Sequence, residues 1–224
     1  MKPLRPYKER LLTMIPLAAA IALLAFALAA PATYAYSPTT KSGRVDWPAQ
    51  ADMLIGAEDW QGLLDLSQRW AEHEPQDATA WFDEGMAYGN LRRYDEAIEA
   101  YRRGLKLYPD SSAAWFDLGN SYGMKDRYAE AIEAYTEAAR IDPRNLDILV
   151  NLGHAYIQVD RYDNAIQMLD RASRIDPTSV RVWNNLAIAF FLKGDKAAAR
   201  NAALRLKRLD PHQADKVLKV ISSP

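Results

Sequence analysis

The sequence predicts an all-α fold in which one helix–turn–helix unit is repeated along the chain. Similar residues recur every 34 positions between residues 78 and 213, and a fixed period of this length is typical of a solenoid. Within each unit, apolar residues lie three and four positions apart, as Trp115, Leu118 and Tyr122 do, which places them on one face of a helix. A proline closes each unit because it cannot continue the second helix.

Five columns of residues share this spacing. The columns are Trp81, Trp115, Leu149 and Trp183; Gly85, Gly119, Gly153 and Ala187; Tyr88, Tyr122, Tyr156 and Phe190; Ala97, Ala131, Ala165 and Ala199; and Pro109, Pro143, Pro177 and Pro211. A glycine inside a helix costs about 1 kcal/mol relative to alanine, so the glycine column indicates a close approach of two helices. We therefore interpret all five columns as core and turn positions and not as a site.

The units resemble tetratricopeptide repeats. The family pattern W-x2-L-G-x2-Y, followed by A-x3-F and P, is matched in the second unit by Trp115, Leu118, Gly119, Tyr122, Ala131, Tyr135 and Pro143. The resemblance covers residues 78–211 and, in a degenerate form, residues 44–77. It implies a right-handed alpha-solenoid of helix–turn–helix units whose concave groove binds peptides.

The N-terminal segment, residues 1–32, is predicted to be a signal peptide or a membrane anchor. A basic start precedes an apolar stretch at residues 11–30. A cleaved signal peptide fits the small residues at 27–29 and 30–32, whereas an uncleaved helix fits the length, since about 20 apolar residues span a bilayer. Under both interpretations residues 36–224 lie across the membrane, in a periplasmic or other extracytoplasmic space.

The remaining chain divides into a linker, five repeats and a cap. The linker is 33–48, the degenerate first repeat is 49–77, the full repeats are 78–111, 112–145, 146–179 and 180–213, and the C-terminal capping helix and tail are 214–224. One core position departs from its column: Glu84 stands where the later repeats have leucine. A buried carboxylate is costly unless it is paired, and we expect Arg69 to be its partner.

Carrying over the family's groove positions gives a candidate partner-binding surface on the first helix of each repeat. Its residues are Phe82, Asp83, Met86, Asn90, Phe116, Asp117, Asn120, Met124, Val150, Asn151, His154, Gln158, Arg181, Asn184, Asn185 and Ile188. One column of carboxylates and amides, from Asp83 to Asn185, can hydrogen-bond the backbone of an extended peptide. The phenylalanine and methionine side chains offer adaptable apolar pockets.

Several function classes are excluded by what the sequence lacks. There are no cysteines and only three scattered histidines, so we expect no metal site. No phosphate-binding loop, nucleophile elbow or paired catalytic carboxylates is present, so we expect no cofactor and no enzymatic activity. Arg181 is the only cation among the groove residues, which argues against capture of a C-terminal carboxylate and favours a neutral or basic segment.

The predicted function is therefore a protein–protein interaction scaffold or assembly factor of the bacterial cell envelope. It would bind an extended peptide segment of a protein partner, with no nucleic acid and with membrane contact only through the N-terminal segment. The alternative is a structural module that self-associates or acts as a spacer in a membrane complex, without a peptide ligand.

Overall fold

The computed structural model describes residues 45–222, and these residues form eleven helices without a β-sheet. Their bounds are α1 Trp47–Gly56, α2 Trp60–His73, α3 Ala78–Asn90, α4 Tyr94–Leu107, α5 Ser112–Gly123, α6 Tyr128–Ile141, α7 Leu146–Gln158, α8 Tyr162–Ile175, α9 Val180–Lys193, α10 Lys196–Lys207 and α11 Pro211–Ile221. The prediction of an all-α fold made of helix–turn–helix pairs is confirmed. The predicted signal or anchor and most of the linker lie outside the described residues.

The described helices fall into two units, which we treat separately. The N-terminal unit is residues 45–125 and contains α1 to α5, while the C-terminal unit is residues 126–222 and contains α6 to α11. Within each unit, consecutive helices pack against each other, and first helices of successive repeats also meet, as α3 meets α5 and α7 meets α9. None of the helices in residues 45–222 is long and apolar enough to cross a membrane.

The first helices of the full repeats begin at side-chain caps. Asp77, Ser111, Asn145 and Ser179 each accept a hydrogen bond from a backbone N–H in the first turn of the helix that follows. Such a cap satisfies one of the N–H groups that the helix itself leaves without a partner. Cap residues at this spacing therefore fix where each first helix starts.

The turn between the two helices of each repeat has one backbone conformation throughout. A positive φ occurs at Glu58, Arg92, Asp126, Asp160 and Gly194, which are 34 residues apart. The left-handed region costs a non-glycine residue about 1 kcal/mol or more, so its recurrence indicates that the turn geometry is imposed by helix packing. Because Glu58 keeps this register, the degenerate first repeat has the same turn as the full repeats.

Small residues allow the paired helices to approach closely. A Cβ atom added at Gly85 would lie 2.9 Å from the ring of Tyr101, and one added at Gly153 would lie 2.7 Å from Leu169. The four alanines of the column from Ala97 to Ala199 have no exposed surface. The interpretation of these columns as close-packed core is confirmed at these positions, where a larger side chain would push the helices apart.

The tryptophan column has a polar role that its apolar neighbours did not indicate. The indole N–H groups of Trp81, Trp115 and Trp183 donate to the carbonyl oxygens of Pro75, Pro109 and Pro177, at 3.1, 2.8 and 2.7 Å. The third repeat has Leu149 in this column, and there the Arg171 guanidinium donates to the Pro143 carbonyl at 3.0 Å. Each inter-repeat loop is thus held by a side-chain donor, which we call the loop latch.

Candidate functional site

One column of the predicted groove residues is turned toward the core of the protein. Phe82, Phe116, Val150 and Asn184 occupy this column, and Val150 and Asn184 are buried while the two phenylalanines are partly buried. Phe82 packs over Gly104 of its own repeat: a Cβ added at Gly104 would lie 2.5 Å from Phe82 Cε1. Phe82 therefore lies between the two helices of its own repeat. Val150 and Asn184 are buried, so the prediction that these two residues line an open groove is wrong.

The predicted surface is also closed at α9. Asn185 and Ile188 are buried there, which contradicts their placement in an open groove. Helix α11 packs against α9, and Gln213 of α11 donates to the Asn184 Oδ1 at 3.1 Å. The physical reason is that α11 takes the position of a further first helix and covers the side chains of α9 that an array without a cap would expose.

The remaining predicted residues, together with Asp147, define two inner faces, one in each unit. The N-terminal inner face consists of Asp83, Met86, Asn90, Phe116, Asp117, Asn120 and Met124, and the C-terminal inner face consists of Asp147, Asn151, His154, Gln158 and Arg181. Most of these side chains are half-buried, Asn90 and Asp147 are exposed, and Asp83 is only 8 % exposed. Whether they bind a partner stays a prediction.

The C-terminal inner face has a cation that contacts its polar groups. Arg181 of α9 donates to the Asp147 carboxylate at 2.6 Å and to the Asn151 side-chain oxygen at 2.8 Å, and both acceptors lie on α7. A guanidinium shared between a carboxylate and an amide makes charge-assisted hydrogen bonds, which are the stronger kind. The charge of Asp147 on this face is therefore matched within the unit.

His154 lies beside this network. Its Nε2 is 2.7 Å from Gln158 Nε2, and its ring meets the ring of Tyr128 edge-on with centroids 6.1 Å apart. Burial and, to a smaller extent, the charge of Arg181 together lower the pKa of His154 to about 4. The imidazole is consequently neutral near pH 7, which suits a polar packing residue better than a proton donor.

The N-terminal inner face contains two acids without such a cation, the buried Asp83 and the half-buried Asp117. The Asp83 carboxylate makes no hydrogen bond or ion pair with any described residue, and its pKa is raised to about 6 by burial and then by the charges of Asp52 and Asp77. Burial also raises the pKa of Asp117 to about 6, against a lowering by Asn120, which donates to it at 3.4 Å. The pKa of Tyr101 is raised well above its ordinary value by burial and then by Asp117 and Asp83, so both carboxylates act on this one tyrosine.

The carboxylate of Glu84 lies outside these faces, and the prediction that Arg69 is its partner is wrong. Gln68, and not Arg69, donates to Glu84 at 3.5 Å, and Gln68 also donates to the Tyr88 hydroxyl at 2.9 Å, whereas Arg69 Nε donates to the backbone oxygen of Asp65 at 3.2 Å. Burial raises the pKa of Glu84, and Gln68 and Arg103 lower it.

A cleft of about 340 Å³ opens at Glu84. Its lining consists of Glu84, Tyr88, Asp95, Glu96, Glu99, Ala100 and Arg103. Three of its acids are already paired at the surface: Asp95 with Lys125, Glu96 with Arg93 and Glu99 with Arg102. Within residues 45–222 there is no group of three or more histidine or carboxylate side chains placed to hold a metal ion.

Comparison with known proteins agrees with the repeat geometry. Tetratricopeptide repeat profiles match residues 82–145, 124–183 and 160–220. Among solved structures, MamA from Desulfovibrio magneticus RS-1 is 21% identical over 75% of this chain and 94% of that chain, with a TM-score of 0.69. YrrB, described as a TPR protein with an unusual peptide-binding site, is 16% identical over 77% of this chain and 90% of that chain, with a TM-score of 0.72.

At these identities the solved structures show the fold alone. No curated protein matches the chain at a significant level. The family profiles, however, together span residues 82–220, which is more than half of the 224 residues, and they agree with the helix pairs, the turns and the small-residue columns described above. The chain belongs to the tetratricopeptide repeat family.

Proposed function

We propose that this protein holds an extended segment of a protein partner against the inner faces of its first helices. The observation that supports this most directly is the row of half-buried polar side chains on those helices, namely Asp117, Asn120, Asn151, His154 and Gln158. Helix packing alone favours apolar residues at half-buried positions, because a polar group loses hydration there. A bound backbone supplies the N–H and C=O groups that such side chains can pair with.

The family and the structural similarity support the same interpretation. Tetratricopeptide repeats are generally non-enzymatic modules that bind proteins or peptides, and YrrB is described as having a peptide-binding site. Met86 and Met124 lie half-buried next to the polar row of the N-terminal inner face. Their flexible side chains adapt to different apolar residues of a bound segment, while the amides fix its backbone.

The proposed place of action is the bacterial cell envelope, where the protein would act as a scaffold or assembly factor. This rests on the sequence of residues 1–32, which has a basic start followed by an apolar stretch. N-terminal sequencing of the protein recovered from cell fractions separates the two interpretations. A new N-terminus near residue 30 or 33 in a soluble envelope fraction indicates cleavage, and an intact N-terminus in the membrane fraction indicates an anchor. Recovery of the intact chain from the cytoplasm contradicts the proposed location.

Site-directed photo-crosslinking tests the inner faces as the binding surface. A photoreactive amino acid is placed in the full-length protein at Met124 or Gln158, on the two inner faces. The matched controls carry it at Glu133 or Gln167, which are exposed on second helices. After illumination in cells, mass spectrometry identifies the crosslinked stretch, and circular dichroism confirms that each variant is folded.

The proposal expects the position on each inner face to crosslink to a defined stretch of a partner, and it expects few crosslinks from the two control positions. Crosslinks that arise equally from the inner and control positions contradict it. Inner-face crosslinks to a second copy of this chain support the alternative, a self-associating structural module, and would replace the proposed function.

A further inference from the structure

The C-terminal unit shows how this fold satisfies polar groups on an inner face. Arg181, the second residue of α9, contacts Asp147 and Asn151, the second and sixth residues of α7. The cation therefore comes from the next first helix along the chain and spans two helices that pack together. One guanidinium group thus donates to two acceptors through two of its nitrogens, an arrangement that suits arginine.

In the N-terminal unit, the three equivalent positions carry different residues. Two repeats earlier, the positions of Asp147, Asn151 and Arg181 are occupied by Thr79, Asp83 and Ala113. The amide at the sixth position has become the carboxylate of Asp83, while the arginine has become an exposed alanine that cannot donate a side-chain hydrogen bond. The face thus gains a negative charge and loses its cation.

Asp83 shows the consequence. Its side chain is 8 % exposed, and it has no hydrogen bond or ion pair with any residue in 45–222. The charges that act on it are acidic: Asp52 of α1 and Asp77 at the start of α3. A buried carboxylate of this kind is costly unless a donor is supplied, and a cationic donor would remove most of that cost.

Asp117, in the same column one repeat later, extends the site. It also acts on Tyr101, which lies buried between α3 and α5 and contacts Gly85 of α3. Its own donor is Asn120, at the long distance of 3.4 Å. Met86 and Asn120 each follow one of the acids by three residues and so lie on the same helix faces, where they offer an apolar wall and an amide beside the carboxylates.

We propose that Asp83 and Asp117 form a binding site for an arginine or lysine side chain of the partner segment, which takes the place that Arg181 takes in the C-terminal unit. This inference rests on the proposed function and names the chemistry of the bound segment. The aliphatic part of the cationic side chain packs along Met86, and its charged end donates to the Asp83 carboxylate, while Asp117 in the same column of the next first helix adds to the negative charge of the site.

Peptide pools with one fixed central residue test the site. Capped nonapeptides carry arginine, lysine or the neutral arginine analogue citrulline at the centre and random residues elsewhere, and their binding to the full-length protein is measured by fluorescence anisotropy. A charge-assisted hydrogen bond contributes about 1.5 to 3 kcal/mol, so the arginine pool is expected to bind about tenfold or more tighter than the citrulline pool.

Three variants locate the effect. In Asp83→Asn with Asp117→Asn, the preference for arginine over citrulline is expected to disappear. Ala113→Arg supplies the missing cation within the chain and is expected to weaken binding of the arginine pool by about tenfold. Gln61→Arg adds the same charge at an exposed position of α2 and is expected to leave the preference unchanged.

Unfolding of the peptide-free protein gives a second measurement. Ala113→Arg is expected to raise the denaturation midpoint when Asp83 is present and to lose that effect in an Asp83→Asn background, as a direct contact requires. An equal effect in both backgrounds overturns the site.

The peptide results separate the two proposals. Equal binding of the arginine and citrulline pools overturns the cation site and leaves the proposed function standing. Failure of every pool to bind contradicts peptide holding itself, and the cation site falls with it.

Discussion

The two inner faces are built from the same repeat and differ in how their charges are matched. In the C-terminal unit, Arg181 contacts Asp147 and Asn151, so the charge of Asp147 is matched within the unit. In the N-terminal unit, Asp83 is buried without a donor among the described residues, and Ala113 stands at the position of the arginine. One helix geometry can therefore carry inner-face acids either with or without a cation from the next first helix.

The difference predicts opposite responses of the two units to acid. The pKa of Asp83 and Asp117 is raised by folding, so the folded state takes up protons first as pH falls below about 6 and is relatively stabilised. The pKa of His154 is lowered by folding from 6.5 to about 4, so the unfolded state takes up the proton first and the folded state is relatively destabilised. The stabilisation from the two aspartates and the destabilisation from His154 both develop as the pH falls from about 6.5 to 4.

The largest expected effect is that of Asp83→Asn with Asp117→Asn. Ionisation of these two acids destabilises the folded state above pH 6, and this effect is absent below about pH 3.8, which is the ordinary pKa of an aspartate. One pKa unit is about 1.4 kcal/mol, so removing the charges is expected to stabilise the folded state above pH 7 by about 2 to 3 kcal/mol for Asp83 and by less for the more exposed Asp117. Urea unfolding of the wild type and the variant from pH 3.5 to 8 measures the difference.

The control for this experiment is Glu72→Gln, which removes one carboxylate at an exposed position of α2. Its difference from the wild type is expected to stay within about 0.5 kcal/mol at every pH, as is usual for surface substitutions. If the double aspartate variant has a free energy of unfolding that exceeds the wild-type value by the same amount at pH 3.5 and at pH 8, the effect is not due to ionisation. The proposed difference in charge matching between the two inner faces would then be wrong.

The second effect, with the opposite sign, is expected from His154→Gln. Wild-type stability is expected to fall by about 2 kcal/mol between pH 6.5 and 4 from this residue, after allowance for its partial exposure. Glutamine does not titrate, so the variant lacks this loss, and the wild-type minus variant difference decreases as pH falls. The direct measurement is the titration of His154 by NMR, and a midpoint near its ordinary value of 6.5 would contradict the closed network.

The sequence predicted the helix pairs and the close-packed columns because each repeats four times with one physical role. The inner faces were harder to predict because the relevant positions depend on contacts between repeats. Phe82 occupies a family groove position, yet it packs over Gly104, and that glycine stands where the later repeats have Ala138, Ala172 and Leu206.

The burial of Asn185 and Ile188 depends on the structure of the C-terminal cap. The sequence predicted the capping helix but did not show which residues of α9 this helix covers. Gln213, which donates a hydrogen bond to Asn184, lies 29 residues further along the sequence. The missing cation at Ala113 could have been found by comparing the columns of Arg181 and Asn151 across repeats. What the sequence could not show is that Asp83 is buried.

The third expected effect compares core packing in the two units. The N-terminal unit pairs Phe82 with Gly104, whereas the C-terminal unit has Val150, which is smaller than phenylalanine, and Ala172, which is larger than glycine, at these positions. Gly104→Ala alone places a Cβ 2.5 Å from Phe82 and 3.2 Å from the Ala78 backbone oxygen, and is expected to destabilise the fold by about 1 to 3 kcal/mol. Phe82→Ala is expected to cost about 2 kcal/mol because the half-buried ring leaves a cavity.

A double-mutant cycle by urea unfolding separates packing from simple loss of surface. With Phe82→Ala in place, Gly104→Ala is expected to cost less than it does alone, since the ring is gone and alanine favours the helix by about 1 kcal/mol. Additive effects of the two substitutions would mean that Phe82 does not rest on Gly104. Phe82 would then return to the open N-terminal inner face, where it was first predicted.

The smallest expected effect concerns the loop latch at Pro143, which uses arginine where the N-terminal unit uses tryptophan. Arg171→Ala removes the donor to the Pro143 carbonyl and is expected to cost about 1 kcal/mol, the usual net value of a hydrogen bond. Arg174→Ala on the same helix removes an exposed ion pair with Asp170 and is expected to cost less than about 0.5 kcal/mol.

Introducing Leu149→Trp into the Arg171→Ala protein restores an indole at the position that donates in the other repeats, and recovery of the lost stability would show that the two latches are equivalent. A failure to recover, with the protein still folded, would mean that the buried site of Leu149 cannot accommodate the ring, so that the arginine latch and the leucine core depend on each other.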